Sequence, residues 1–169
     1  MNTLNTELKN QARHLGLCDE WFNSWNKNWT MEKMVAKMYE GIDFCLEHHW
    51  PSNEFITKHC PLEFLREHKI FVDDKYSTNN PAESLVLGSS EITFRFNVSH
   101  HGILYLRDTS KAKIIAKNRA FVLVHTFDKA SVEVEQHDMA QVFLLKHSIN
   151  NSFTTDGKVT IREEYGYPA

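Results

Sequence analysis

The chain has 169 residues, 41% apolar and 24% charged, with a formal net charge of −3. That size and mix fit one globular domain or two small ones, and give no concentrated basic surface for nucleic acid. No apolar run nears the roughly 18 residues of a membrane helix, and the first residues, MNTLNTELKN, show no leader pattern. A soluble chain without a membrane or nucleic-acid partner is therefore expected. Cys18, Cys45 and Cys60 form an odd, widely spaced set, which points to a reducing cytoplasm.

Residues 1–75 read as helical. A first helix is predicted over 6–15, with Gly16 as its stop. An aromatic stretch follows, with Trp21, Phe22, Trp25 and Trp29. Thr30 suits an N-cap, and Glu32 sits near the positive end of the next helix. Met34, Val35, Met38, Ile42, Cys45 and Leu46 recur at three and four, which predicts one apolar stripe ending before Pro51. Ser52 caps a short helix through His59, and Pro61 opens another through His68. Residues 70–72 read as a strand. Residues 73–82 are polar with an Asn-Asn-Pro turn, so 76–89 reads as a linker with a first edge strand.

Residues 90–169 carry a different order. A small or polar anchor recurs every ten residues, at Ser90, His100, Ser110, Ala120, Ala130, Ala140 and Asn150. Asp108, Asn118, Asp128, Asp138 and Ser148 stand two before it. Apolar residues at even positions follow: Ile92 and Phe94, Ala112 and Ile114, Val122 and Val124, Val132 and Val134, Val142 and Leu144. A fixed period is the mark of stacked units, none of which can bury its own apolar face. Ten is even, so each unit returns with the same face inward. No corner holds the Asn-Gly or Asp-Gly of a tight hairpin. Asx side chains that bond the local backbone suit a solenoid corner instead. The predicted fold is α+β: a helical N-terminal half, then a short two-sided parallel β-solenoid with 20 residues per coil. Residues 158–163 are expected to finish its far end.

The outward positions alternate with a period of 20. One face would carry Ile103, Tyr105, Phe121, Leu123, His125, Phe143 and Leu145; the other carries Thr93, Lys113, Glu133, Arg95 and Glu135. A bare apolar patch of that size marks an interface on most soluble proteins. It would be covered by the helical half, by a protein partner or by a second copy.

Other chemistry is weaker. The Asx column could hold calcium, but the corners lack the glycines and dense carboxylates of such motifs. Cys45, His48, His49, His59 and Cys60 include zinc-ligand types, and Cys45 and His49 are four apart. Cys45 also falls in the apolar stripe, which makes it a core residue. His125, His137 and His147 fall in different outward columns and are not expected to converge. Trp21, Trp25 and Trp29 are four apart, and read as core more readily than as a sugar platform. No nucleophile motif, phosphate loop or dinucleotide fingerprint is present.

The units Asp128-Lys129-Ala130-Ser131-Val132-Glu133-Val134 and Asp138-Met139-Ala140-Gln141-Val142-Phe143-Leu144 resemble short Asx-x-Ala-x-Val repeats of uncharacterised bacterial and phage proteins. The resemblance covers about 60 residues and implies solenoid form without a site to carry over. The expected function is a non-enzymatic protein-interaction module without cofactor or metal, such as a small intracellular or phage-associated scaffold or inhibitor. The alternatives are an enzyme with a His, Cys and carboxylate site between the halves, or a carbohydrate-binding module.

Overall fold

In a computed structural model, residues 3–167 are described. They form two compact units: residues 3–55 with Tyr167, and Ile56–Gly166.

The first unit holds α1 (Thr3–His14), α2 (Asp19–Ser24), α3 (Met31–Glu40) and α4 (Ile42–Glu47), and the start of α5 (Asn53–His59). Thr30 caps α3, its hydroxyl accepting from the Lys33 N–H at 3.3 Å. The expected single stripe is broken in two, because Gly41 (φ −109°) leaves helical geometry between α3 and α4. Leu8, Ala12, Leu17, Cys45 and Trp50 are its buried core, with Trp21, Phe22, Trp25, Met34 and Met38 packed around them. Trp21, Trp25 and Trp29 do not form a helical ladder, since α2 ends at Ser24 and Trp25 turns extended. Trp25 instead stacks on Trp29 at 5.3 Å and meets Trp50 edge-on at 5.9 Å. Each ring there serves the packing of a small core.

The second unit continues through α6 (Leu62–Glu67) into two parallel sheets. The odd-strand sheet stacks β1 (Ile70–Val72), β3 (Glu83–Leu87), β5 (His101–Leu106), β7 (Phe121–Thr126), β9 (Gln141–Lys146) and β11 (Thr160–Glu163) in that order. The even-strand sheet stacks β2 (Lys75–Asn79), β4 (Glu91–Phe96), β6 (Lys111–Ala116), β8 (Ser131–Gln136) and β10 (Ser152–Asp156). Successive strands alternate between the sheets, so the chain coils, as the ten-residue period requires. Val122 pairs with Val142, and Ala112 with Val132. The apolar residues at even strand positions from Ile92 through Leu144 point inward and are buried at 3% exposure or less.

The coil begins earlier than the repeat suggested. Residues 75–79, read as linker, form β2 and pair with β4. Only Thr78 of β2 is buried, so this edge strand has no apolar alternation to betray it. The last anchor is also displaced. Asn151 is buried, whereas Asn150 is exposed, because one extra residue enters the corner after β9. The Asn151 amide donates to the carbonyls of Phe127, Asp128 and Ala130 at 3.0, 3.3 and 3.3 Å. Its oxygen accepts from Ser148 N–H at 2.9 Å and the Thr126 hydroxyl at 3.2 Å. The inward parity changes with it: Phe153 aligns with Val132, and Ile161 with Leu144.

The corners use left-handed backbone after all. Asp73, Asn80, Asp108, Asn118, Asp128 and Asp138 have φ between 47° and 63°. Short Asx side chains tolerate this region, so glycine is not needed at every turn. Gly88 (φ +65°) is the exception in its column, because a Cβ there would collide with the Asp73 carboxylate. That carboxylate accepts from the Ser89 N–H at 2.7 Å. Further along, Asp108 accepts from Gly88 N–H at 2.7 Å, Asp128 from Asp108 N–H at 3.1 Å, and Asp138 from Asn118 N–H at 2.9 Å.

Candidate functional site: the outer face of the odd-strand sheet

Odd positions of β5, β7 and β9 point away from the solenoid core. Parallel register lines up Ile103, Leu123 and Phe143 in one column, and Tyr105, His125 and Leu145 in the next. Phe121 stands opposite His101 and Gln141, its ring 5.2 Å from that of Phe143. All seven apolar or aromatic ladder residues are half-buried. Columns of this kind follow from strand spacing of about 4.8 Å, which puts equivalent side chains in contact.

Toward the first coil the apolar residues of the same face are buried. Ile70, Val72, Leu85 and Leu87 are 5% exposed or less, and α6 packs against β1. Leu85 and Ile70 extend the Tyr105 column, Leu87 and Val72 stand two residues further along, and sequence reasoning left all four out. The signal was the unbroken run Leu85-Val86-Leu87, since a strand covered on both faces loses its alternation.

His125 and His147 do converge, against expectation. His125 Nδ1 lies 3.0 Å from His147 Nε2, and His147 Nδ1 lies 2.7 Å from the Glu164 carbonyl oxygen. That carbonyl can only accept, which assigns the proton of neutral His147 to Nδ1. His147 Nε2 then accepts from His125 Nδ1–H. The rings stack in series: Tyr105 on His125 at 5.1 Å, His125 beside His147 at 5.2 Å, and His147 on Phe127 at 4.5 Å. Burial first, and the neighbouring His147 second, push the His125 pKa down to about 4, against an opposing pull from Glu164. His125 is therefore uncharged at neutral pH and belongs to the aromatic ladder. Beside it, burial raises the Glu83 carboxyl, while a hydrogen bond from Tyr105 lowers it.

The opposite outer face is polar and internally neutralised. Lys113 lies 2.8 Å from Glu133 and 2.6 Å from Glu135, and these hydrogen bonds raise its pKa to about 12. Glu91 is held between Lys75 at 3.1 Å and Lys111 at 3.7 Å.

Cys45 is buried in the first unit, its thiol 3.8 Å from the Met38 carbonyl. His49 does not share a helix face with it, since α4 stops at Glu47 and His49 has φ 48°. Cys60 follows α5, and burial raises its thiol pKa. The carboxylates of Asp108, Asp128 and Asp138 accept main-chain N–H groups of the preceding coil, which is the Asx-corner role.

The fold and this face define an α+β chain whose second unit is a two-sheet parallel β-solenoid of about 20 residues per coil. No protein-family model matches the chain, and no curated protein or solved structure matches it.

Proposed function

We propose that the chain is a non-enzymatic protein-interaction module, a small intracellular or phage-associated scaffold or inhibitor, and that it binds through the outer face of the odd-strand sheet. The observation that carries this reading is the registered ladder of Ile103, Leu123 and Phe143 beside Tyr105, His125 and Leu145. A rigid parallel sheet holds these side chains at fixed spacing, so little conformational entropy is lost when a partner covers them. Large half-buried apolar and aromatic side chains in a continuous strip are the usual anchors of such contacts. The partner is another protein, or a second copy, that presents a complementary apolar strip. Cys18, Cys45 and Cys60, an odd set not joined in a disulfide, support action in a reducing cytoplasm.

The test uses the full chain and Leu123→Glu as baits in extract of the source cells. Covering a leucine is worth about 1.5–3 kcal/mol, so the variant should bind its partner roughly ten- to a hundredfold more weakly while melting like the wild type. Equal partner recovery by both baits would refute the reading. A large drop in melting temperature would show instead that Leu123 serves the fold.

A further inference from the structure

The two ends of the solenoid are built differently. At the first, α6 packs on β1 with Leu65 buried. Arg66 holds Asp74 through hydrogen bonds of 2.9 and 2.8 Å and lies over the Tyr76 ring at 4.5 Å. At the other, β10 and β11 stand last in their sheets and pair on one side only. Every residue of β11 is exposed. Ile161 occupies the column of the buried Leu144 yet keeps 48% exposure, and Ile149 keeps 77%. Phe153 and Val159 pack on the core but are only partly buried. Open strand edges joined to apolar side chains are a template for another strand.

The sequence of β11 selects which strand. Glu164 and Gly166 donate their N–H groups toward β9, to the carbonyls of Lys146 at 2.9 Å and His147 at 3.1 Å. Ile161 and Glu163, of opposite parity on the same strand, therefore direct theirs to the open edge, because alternate residues of a strand bond to opposite sides. We infer that this end of the solenoid binds a second copy of the chain, β11 pairing antiparallel with its own copy about a two-fold axis centred on Ile161. Centring on Thr160 would set Lys158 against Arg162 of the second copy. Centring on Arg162 or on Glu163 would set that residue against itself. Among centres within β11, the Ile161 register alone avoids like charges opposite one another, which destabilise a sheet. It sets Ile161 on Ile161, Arg162 on Thr160 and Glu163 on Val159, and it joins Lys158 of each copy to Glu164 of the other. Both charged residues are exposed.

An axis normal to the two sheets carries each sheet edge onto its own copy, so β10 meets β10 at the same time. Asp156, at its end, is the only charge β10 carries, and pairing about the strand centre keeps the two copies of it apart. The contact is isologous and closes at two chains. It uses none of the apolar side chains of the odd-strand ladder and stands or falls separately from the function proposed above.

Sedimentation of the full chain across micromolar concentrations should give a mass near twice 19.8 kDa. Lys158→Glu should weaken the dimer about tenfold, since two attractive pairs become repulsive. Adding Glu164→Lys to that variant should restore it. Ile161→Pro removes an edge N–H and should give a monomer with unchanged strand circular dichroism. If that variant loses strand signal, the charge exchange alone decides. Leu123→Glu should dimerise like the wild type. A monomeric wild type would overturn the inference. So would a dimer indifferent to Lys158→Glu, a double variant no tighter than the single one, or a dimer lost in Leu123→Glu.

Discussion

Replacing Asn151 with alanine isolates the residue that seats the last full coil. The side chain makes five hydrogen bonds, three donated to the carbonyls of Phe127, Asp128 and Ala130 and two accepted from Ser148 and Thr126. Several partners keep other contacts. The Phe127 carbonyl still accepts from Ala130 N–H at 3.0 Å, and the Thr126 hydroxyl still donates to the Leu145 carbonyl at 3.1 Å. The Ser148 N–H loses its 2.9 Å acceptor. One well-made bond to a main-chain donor and the longer bonds at 3.2–3.3 Å together amount to about 2–3 kcal/mol. Asn150→Ala, one residue earlier and exposed, should change stability by no more than about 0.5 kcal/mol. Urea denaturation followed by strand circular dichroism measures both. Equal losses, or the larger loss at Asn150, would refute the placement of the extra residue and restore an unbroken ten-residue period.

Two further outcomes follow from the interior and from the histidine pair. Val132→Asp should unfold the solenoid, since an unpaired carboxylate among Ala112, Val134 and Phe153 costs several kcal/mol against a total of roughly 5–15 kcal/mol; Glu133→Asp on the wet face should cost about 0.5 kcal/mol or less, and similar melting losses would show the inside-outside phase to be wrong. His125, with its folded pKa depressed to about 4 from an unfolded value near 6.5, contributes stability that is full above pH ~6.5 and lost as the pH falls toward 4. With solvent access to a half-buried ring allowed for, the loss by pH 4 is on the order of 2 kcal/mol. His125→Phe should flatten that part of the stability–pH curve, and an unchanged curve would remove His125 as its source.

The inward columns were legible because ten-residue spacing and strict even parity leave few architectures open. Val122, Val132 and Val142 could be placed on stacked parallel strands from spacing alone. What the sequence hid has particular causes. Strand β2 buries only Thr78, so nothing distinguishes it from a loop until β4 is beside it. Six corners carry Asx rather than glycine at positive φ, and a rule that demands glycine misses those turns. Gly41 stands inside a run of helical periodicity, and only the backbone shows that it ends α3. For the outer face, the columns of Ile103 and Tyr105 were readable. The meeting of His125 with His147 was not, because His147 lies beyond the end of β9, where strand columns no longer say where a ring reaches.

The hydrogen bonds along the corners have a direction. From the third coil onward the N–H belongs to the earlier coil and the accepting carboxylate to the coil after it, as in Asp108 to Asp128 and Asn118 to Asp138. A growing chain therefore leaves each such turn incomplete until about 20 more residues have left the ribosome. Each coil is finished by its successor, so during synthesis the completed front of the solenoid trails the emerging chain by one turn. The coil made last is then closed by Asn151, with its amide on the carbonyls of the coil before it.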